Sequence, residues 1–124
     1  MCIRDSSQRR AVWSTDASSF HSPLIIKGLI IVLNNDGSII SFSGQTLSES
    51  WTNEEYLRRG LSNATEHDGN VVFGDIEGYL HVINPLTGRT VGREKISGNP
   101  IRYVSSRGNQ LFALDSELRM FALN

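Results

Sequence analysis

The sequence is short of cysteine, of net charge and of long apolar runs, and each shortage closes off a class of protein. Cys2 is the only cysteine among 124 residues, so no internal disulfide can form and no cysteine-pair zinc pattern can be written. It reads as an exposed thiol, since a lipidated cysteine would need a signal sequence ahead of it. Twelve Lys and Arg stand against thirteen Asp and Glu, for a formal charge of −1. That balance gives no electrostatic case for nucleic acid or an anionic membrane as partner. The longest apolar run, "PLIIKGLIIVL", is split by Lys27 and Gly28 and falls short of the roughly 20 residues of a transmembrane helix. The opening "MCIRDSSQRR" has no apolar core of a signal peptide. "MCIRDS" resembles translated adaptor sequence, so residues 1 to about 7 are expected to be non-native, with the native chain extending upstream. Residues 1–10 are expected to be a non-native or disordered terminus, and residues 11–124 the folded part.

What is present is a repeat. Three stretches can be laid over one another: "LIIKGLIIVLNNDGSIISFS", "TEHDGNVVFGDIEGYLHVIN" and "YVSSRGNQLFALDSELRMFAL". Gly28, Gly69 and Gly108 fall at one place, separated by 41 and 39 residues. Nine residues after each stand Gly37, Gly78 and Glu117. Each unit reads as strand, tight turn, strand, looser connection. The first predicts strands at Leu29–Leu33 and 38–42 about Asn35-Asp36-Gly37. The second predicts 71–73 and Tyr79–Ile83 about the turn 75–78, followed by a turn over 85–88. The third predicts 110–113 and 118–123 about the turn 115–117. Asp-Gly and Asn-Gly pairs between apolar runs are strong hairpin signals, because Gly takes the positive φ such turns require. The strands alternate poorly between apolar and polar, which suits strands covered on both faces.

Short strands in a unit of about forty residues describe a β-propeller blade, which buries its faces against the blades on either side. Trp13 and Trp51, 38 residues apart, end the outer strands "AVW" and "ESW" on this reading. The matching place in the next unit, near Arg93, lacks the tryptophan. "TNEEYLRRG" reads as a short helical connector, with Asn53 capping it, Glu54 and Glu55 in its first turn, Arg58 and Arg59 in its last and Gly60 beyond. The predicted fold is all-β: a partial propeller of two to three four-stranded antiparallel blades, stopping one strand short of a complete last blade. Three blades do not close a ring, since about four are needed, so the chain reads as the C-terminal fragment of a larger ring.

The segments "ESWTNEEYLRRGLSNATEHDGNVVFGDIEGYLHVINPLTGRTVGREKI" and "IRYVSSRGNQLFALDSELRMFALN" resemble the outer-membrane protein assembly factor BamB family, periplasmic propellers with repeats like those of quinoprotein dehydrogenases. The most specific part is the run Gly74-Asp75-x-Glu77-Gly78-Tyr79-Leu80-His81, extended by Thr87-Gly88-Arg89 and "VGREKI". The resemblance covers nearly all of the chain from about Ala11 and is weaker in its first forty residues. Two departures stand out: Glu117 replaces the usual glycine of the last hairpin, and Pro100-Ile101 sits where the family's final blade opens. The resemblance implies a non-catalytic scaffold subunit of the outer-membrane β-barrel assembly complex, built as an eight-bladed ring and binding the periplasmic domains of BamA. It implies a place on the periplasmic face of the outer membrane, through an N-terminal lipid that Cys2 does not inherit. No catalytic, cofactor, metal or partner-contact residue is carried over. Two alternatives remain: a fragment of a quinone-dependent (PQQ) dehydrogenase, and a generic cell-envelope propeller binding module. The dehydrogenases should repeat their tryptophan docking in every blade.

Candidate chemistry concentrates at Asp75 and Glu77. Two carboxylates two apart in a turn could contribute to a calcium site, which wants six to eight oxygens. The plainer reading is an Asx turn, in which Asp75 bonds backbone two residues on; Asn35-Asp36-Gly37 and the turn 115–117 occupy the same corner in the other units. His21, His67 and His81 lie in different units with no metal-ligand spacing. His81 is expected to be packed or at an edge, and His67-Asp68-Gly69 to be a turn rather than a base with its orienter. No G-x-S-x-G, phosphate loop or G-x-G-x-x-G occurs. Asn63-Ala64-Thr65 matches a glycosylation sequon. Arg58, Arg59, Arg89, Arg93 and Lys95 could form a basic rim for an acidic partner, or be ordinary solvated surface. Tyr56 and Leu57 could be an exposed apolar patch, or cover a blade edge.

Overall fold

The computed structural model describes residues 23–34 and 36–123. The predicted outer strand at Trp13, with Cys2 and His21, lies outside the described residues. Among the described residues eleven strands follow one another: β1 Leu24–Ile26, β2 Leu29–Leu33, β3 Ile39–Ser43, β4 Glu49–Asn53, β5 Ala64–His67, β6 Asn70–Gly74, β7 Tyr79–Ile83, β8 Thr90–Lys95, β9 Ile101–Arg107, β10 Gln110–Asp115 and β11 Met120–Leu123. They form three antiparallel meanders, β1-β2-β3-β4, β5-β6-β7-β8 and β9-β10-β11, each strand paired with its sequence neighbour. These are the expected blades.

The central strands are covered on both faces, as their apolar runs require. Three of five residues in β2 and four of five in β6 are buried. Ile31, Leu33 and Ile39 of the first blade join Val71, Phe73 and Ile83 of the second in one cluster. Val72 and Leu80 turn the other way, onto Ile101, Val104, Leu111 and Ala113 of the third. The core is therefore a series of joints between sheets. Each fully buried large apolar side chain there is worth about 1.5–3 kcal/mol of transfer free energy.

The repeat register needs one correction. The first tight turns are Lys27-Gly28 and Asp68-Gly69, with positive φ at both residues (52° and 77°, 55° and 80°). In the third blade Arg107 pairs with Gln110, so Gly108 takes the first central place, with φ 62°, where Lys27 and Asp68 stand. The slip carries forward to the next corner. Gly37, Gly78 and Leu118 each donate to the residue three before: Asn34, Asp75 and Asp115. Leu118, with φ 66°, is therefore the counterpart of the two glycines, and Glu117 is not. A glycine signature misplaces the corner because the third blade puts leucine at the αL position.

The expected helical connector is not a helix. Thr52 and Asn53 belong to β4, and residues 55–58 form turns. Asn53 does cap the chain's exit, its Oδ1 accepting from the Glu55 amide at 2.7 Å. The Arg59 amide then bonds Tyr56 O at 3.1 Å, one residue short of an α-helical bond. Arg58 adopts φ 65° and donates its amide to Asp36 O at 2.9 Å. A bond to a neighbouring hairpin has displaced the local helix signal.

Candidate functional site

Asp75 and Glu77, the sharpest candidates in the sequence, are separated by the fold: Asp75 is fully buried and Glu77 exposed. Asp75 sits where β6 turns into β7. Its Oδ1 accepts from the amides of Glu77 at 2.9 Å and Tyr79 at 3.1 Å, the Asx turn the sequence suggests. Its Oδ2 accepts from His81 Nε2 at 2.7 Å and Arg59 Nη1 at 3.2 Å. His81 has no exposed surface. Sequence reasoning missed this triad, because six residues along the chain and two strand positions hide a direct contact. The signal was His81 itself, a polar residue in a strand otherwise written for the core.

Electrostatics fix the protonation states. Burial pushes the Asp75 carboxyl up, but the bonds from His81 and the Tyr79 and Glu77 amides more than offset it, holding the group below the usual carboxylate value. Burial pushes His81 down, against the pull of Asp75. An ionised carboxylate only accepts, so Nε2 carries the imidazole proton and Nδ1 is the bare lone-pair nitrogen. Nδ1 is buried without a hydrogen-bond partner. Tyr56 lies 4.7 Å from the His81 ring centroid and Phe73 5.4 Å, while Tyr56 meets Phe73 edge-on at 5.0 Å. A carboxylate–imidazole pair resembles a base with its orienter. Here the nitrogen that would take a substrate proton is sealed under aromatic rings. The arrangement can hold a joint; it cannot reach a substrate.

The third blade repeats the corner with other partners. Asp115, fully buried, accepts from the Glu117 and Arg119 amides, each at 2.9 Å, and from Ser97 Oγ at 2.8 Å. Its pKa falls to about 2: burial would raise it, and the bonds from the Arg119 amide, Ser97 and the Glu117 amide reverse that. Ser97 belongs to the connector from the second blade. In both blades a buried aspartate thus ties its own hairpin to the incoming connector. Among the described residues no three His, Cys, Asp or Glu side chains converge as a metal site.

The remaining candidates scatter. His67 ends β5 and meets Ser106 Oγ at 3.2 Å across the second joint. Asn63 is not free for modification: Nδ2 donates to Val104 O at 2.8 Å, and Oδ1 accepts from the Val104 amide at 3.0 Å. Tyr56 is 3% exposed, so it is no surface patch; Leu57 beside it is 42% exposed. The basic residues make no single rim. Arg59 is paired with Asp75, Lys95 lies 5.8 Å over the Tyr79 ring, and Arg89 precedes the start of β8 while Lys95 ends it.

Trp51 lies mid-strand in β4, not at its end. Its Nε1 donates to Pro85 O at 2.8 Å, and its ring packs on Gly88, where a Cβ would come within 2.5 Å. Ser41 pairs with Trp51 in the first blade and Val82 with Gly92 in the second. Gly92, one residue from Arg93, therefore occupies the tryptophan's place. It borders a groove of about 410 Å³ floored by Val72, Leu80, Val82, Leu111 and Leu123.

The family profile described as "Outer membrane protein assembly factor BamB" matches residues 2–116. The BamB of Pseudomonas aeruginosa is 33% identical, over 88% of this chain and 31% of its own. That of Shewanella oneidensis is 36% identical, over 73% of this chain and 23% of its own. The chain thus spans about a third or less of these relatives. The crystal structure of BamB from Moraxella catarrhalis superposes with a TM-score of 0.81 over 96% of this chain and 36% of that one, at 21% identity. Repeats of the WD40 propeller of RRP9 superpose at 0.68 with 12% identity, a likeness of fold alone. The profile, the identities and the three stacked meanders agree: the chain belongs to the family of the outer membrane protein assembly factor BamB.

Proposed function

We propose that the chain is part of a non-catalytic scaffold subunit of the outer-membrane β-barrel assembly complex, acting at the periplasmic face of the outer membrane and binding the periplasmic domains of BamA. The observation that carries this reading is where the chain's polar chemistry goes. Asp75 and His81 bond each other within the second blade, Arg59 and Ser97 tie the connectors to the buried aspartates of the second and third hairpins, and Asn63 bonds across to the third blade. A rigid stack of blades that offers its loops to a partner suits a scaffold. The acid–base pair in the joint has no access to a substrate.

The dehydrogenase alternative would require tryptophan docking in successive blades. Gly92 in the place of Trp51 argues against it. The test is a pull-down of the full-length protein against purified periplasmic domains of its own BamA. Retention is expected. No retention, together with dye reduction when an alcohol and the quinone are supplied, would overturn the scaffold reading in favour of the dehydrogenase.

A further inference from the structure

The first joint contains a titratable group whose protonation the surrounding structure cannot accommodate. His81 is fully buried, with Nε2 committed to Asp75 at 2.7 Å and Nδ1 facing no acceptor. The groups around it come from four elements. Asp75 lies on the β6–β7 turn, and Arg59 and Tyr56 on the connector 54–60. Arg93 stands opposite His81 in the β7–β8 register, and Tyr79, beneath Lys95, lies on β7 itself with its ring 6.1 Å from the imidazole. The Tyr56 hydroxyl is bonded to Thr90, whose own hydroxyl donates to Glu55 at 2.7 Å. The connector thus seals the imidazole with Tyr56 and reaches the same Asp75 oxygen with Arg59.

We propose that His81 is an acid-operated latch on the joint between the first and second blades. Protonation at Nδ1 drives Arg59 off Asp75 and lifts the connector 54–60 from the imidazole. With His81 neutral, Asp75 Oδ2 faces one cation, Arg59 at 3.2 Å. With His81 cationic, two positive charges share one buried oxygen, with Arg93 nearby. Nδ1–H needs an acceptor that the aromatic walls do not supply, and an unpaired buried charge is costly. The connector is the element able to yield, since Leu57 and Arg58 are exposed and, outside any strand ladder, two backbone bonds, Arg58 N to Asp36 O and Ile76 N to Arg59 O, tie it to the neighbouring hairpins. Opening admits water to Nδ1 and frees Arg59, while the sheets keep their backbone ladders.

The sense of the pH dependence follows from burial. The closed joint holds His81 below its ordinary value of 6.5, so the open form takes up the proton first. The closed state is favoured above about pH 6.5, and its closed-to-open ratio falls as pH drops below that, by at most about tenfold per pH unit. Between pH 7.5 and 5.0 the shift is at most about thirtyfold.

The test is amide exchange by mass spectrometry on the full chain at pH 7.5 and 5.0, comparing the wild type with His81→Gln at each pH so that intrinsic exchange rates cancel. Glutamine keeps a donor toward Asp75 and does not titrate. Expected is a loss of protection in the segment 54–60 of the wild type at pH 5.0, of up to about thirtyfold relative to the variant, with β2, β3 and β6 still protected. Parallel behaviour of the two proteins, or simultaneous loss of protection in β2 and β6, overturns the latch. If His81→Gln fails to fold, the His81 ring resonances of the wild type decide. Protonation accompanied by release of the Tyr56 ring supports the latch, and protonation with the Tyr56 contact intact overturns it.

Discussion

Asn63 and Val104 face each other across the second joint and exchange two hydrogen bonds, at 2.8 and 3.0 Å. A side-chain amide here takes the place of a strand, pairing with the backbone of β9 as a neighbouring residue would. Truncation leaves the amide and carbonyl of Val104 without their partner. Asn63→Ala is expected to cost about 1–3 kcal/mol, read as a lowered urea midpoint with an unchanged slope.

The same corner predicts opposite outcomes in two blades. A Cβ on Gly78, at φ 90°, would lie 1.9 Å from Ser97 O, so Gly78→Ala must displace the backbone of the connector. Leu118 holds the equivalent place at φ 66° with 78% exposure. Leu118→Gly is therefore expected to leave stability unchanged or raise it by up to about 1 kcal/mol, whereas Gly78→Ala lowers it by more than about 2 kcal/mol. The thermal midpoint of Gly78→Ala should fall, while that of Leu118→Gly should hold or rise.

Trp51 and Gly88 form a lock whose parts are not independent. Gly88→Ala would put a methyl 2.5 Å from the indole, and Trp51→Ala would empty the space. The double variant should be less destabilised than the sum of the singles, with a coupling of about 1–2 kcal/mol in a double-mutant cycle. Gly92, at the same register in the next blade, has open space around its missing Cβ. Gly92→Trp is expected to raise the denaturation midpoint, since it fills an apolar groove.

Acid should weaken the chain through its buried aspartates. Asp75 and Asp115 both titrate below 3.8 when folded, Asp115 at about 2. A folded pKa below the unfolded one means that the unfolded chain binds protons first. The stability these carboxylates contribute is thus present above about pH 4 and is lost as pH falls toward 2. Urea midpoints at pH 5, 3.5 and 2.5 should drop progressively, and Asp115→Asn should flatten the lower part of that fall. Asp75→Ala, which strands His81 and two amides, should cost about 3–5 kcal/mol at pH 7.

The blades were legible in the sequence because hairpins are local. Glycine supplies the φ their turns need, and central strands covered on both faces read as unbroken apolar runs. The helical connector was misread because its local signals, Asn53 as cap and Glu and Arg at either end, are outweighed by bonds to Asp36 and Ile76 of neighbouring hairpins. The third corner was misplaced because Leu118 holds a conformation usually left to glycine. Asp75 was identifiable as an Asx turn, but its bonds to His81 and Arg59 were not, since these depend on how β7 and the connector are brought against one corner. Asn63 illustrates the same limit: its sequence context offers only a common sequon match, and the neighbouring blade shows what its amide binds.

Apart from those made by the connectors, the side-chain bonds from one sheet to the next have a similar reach along the chain. Trp51 to Pro85 spans 34 residues, Asn53 to Gly88 spans 35 and Asn63 to Val104 spans 41. The entropy of closing such a loop depends only weakly on its length, so each joint is about as costly to form as the one before. Assembly can then proceed as a zipper. The first pair of sheets to meet bears the nucleation barrier, and every later sheet adds onto a finished edge at nearly constant cost. For a chain emerging from the ribosome one end first, that order is also the order of synthesis, and no sheet need wait for a distant partner.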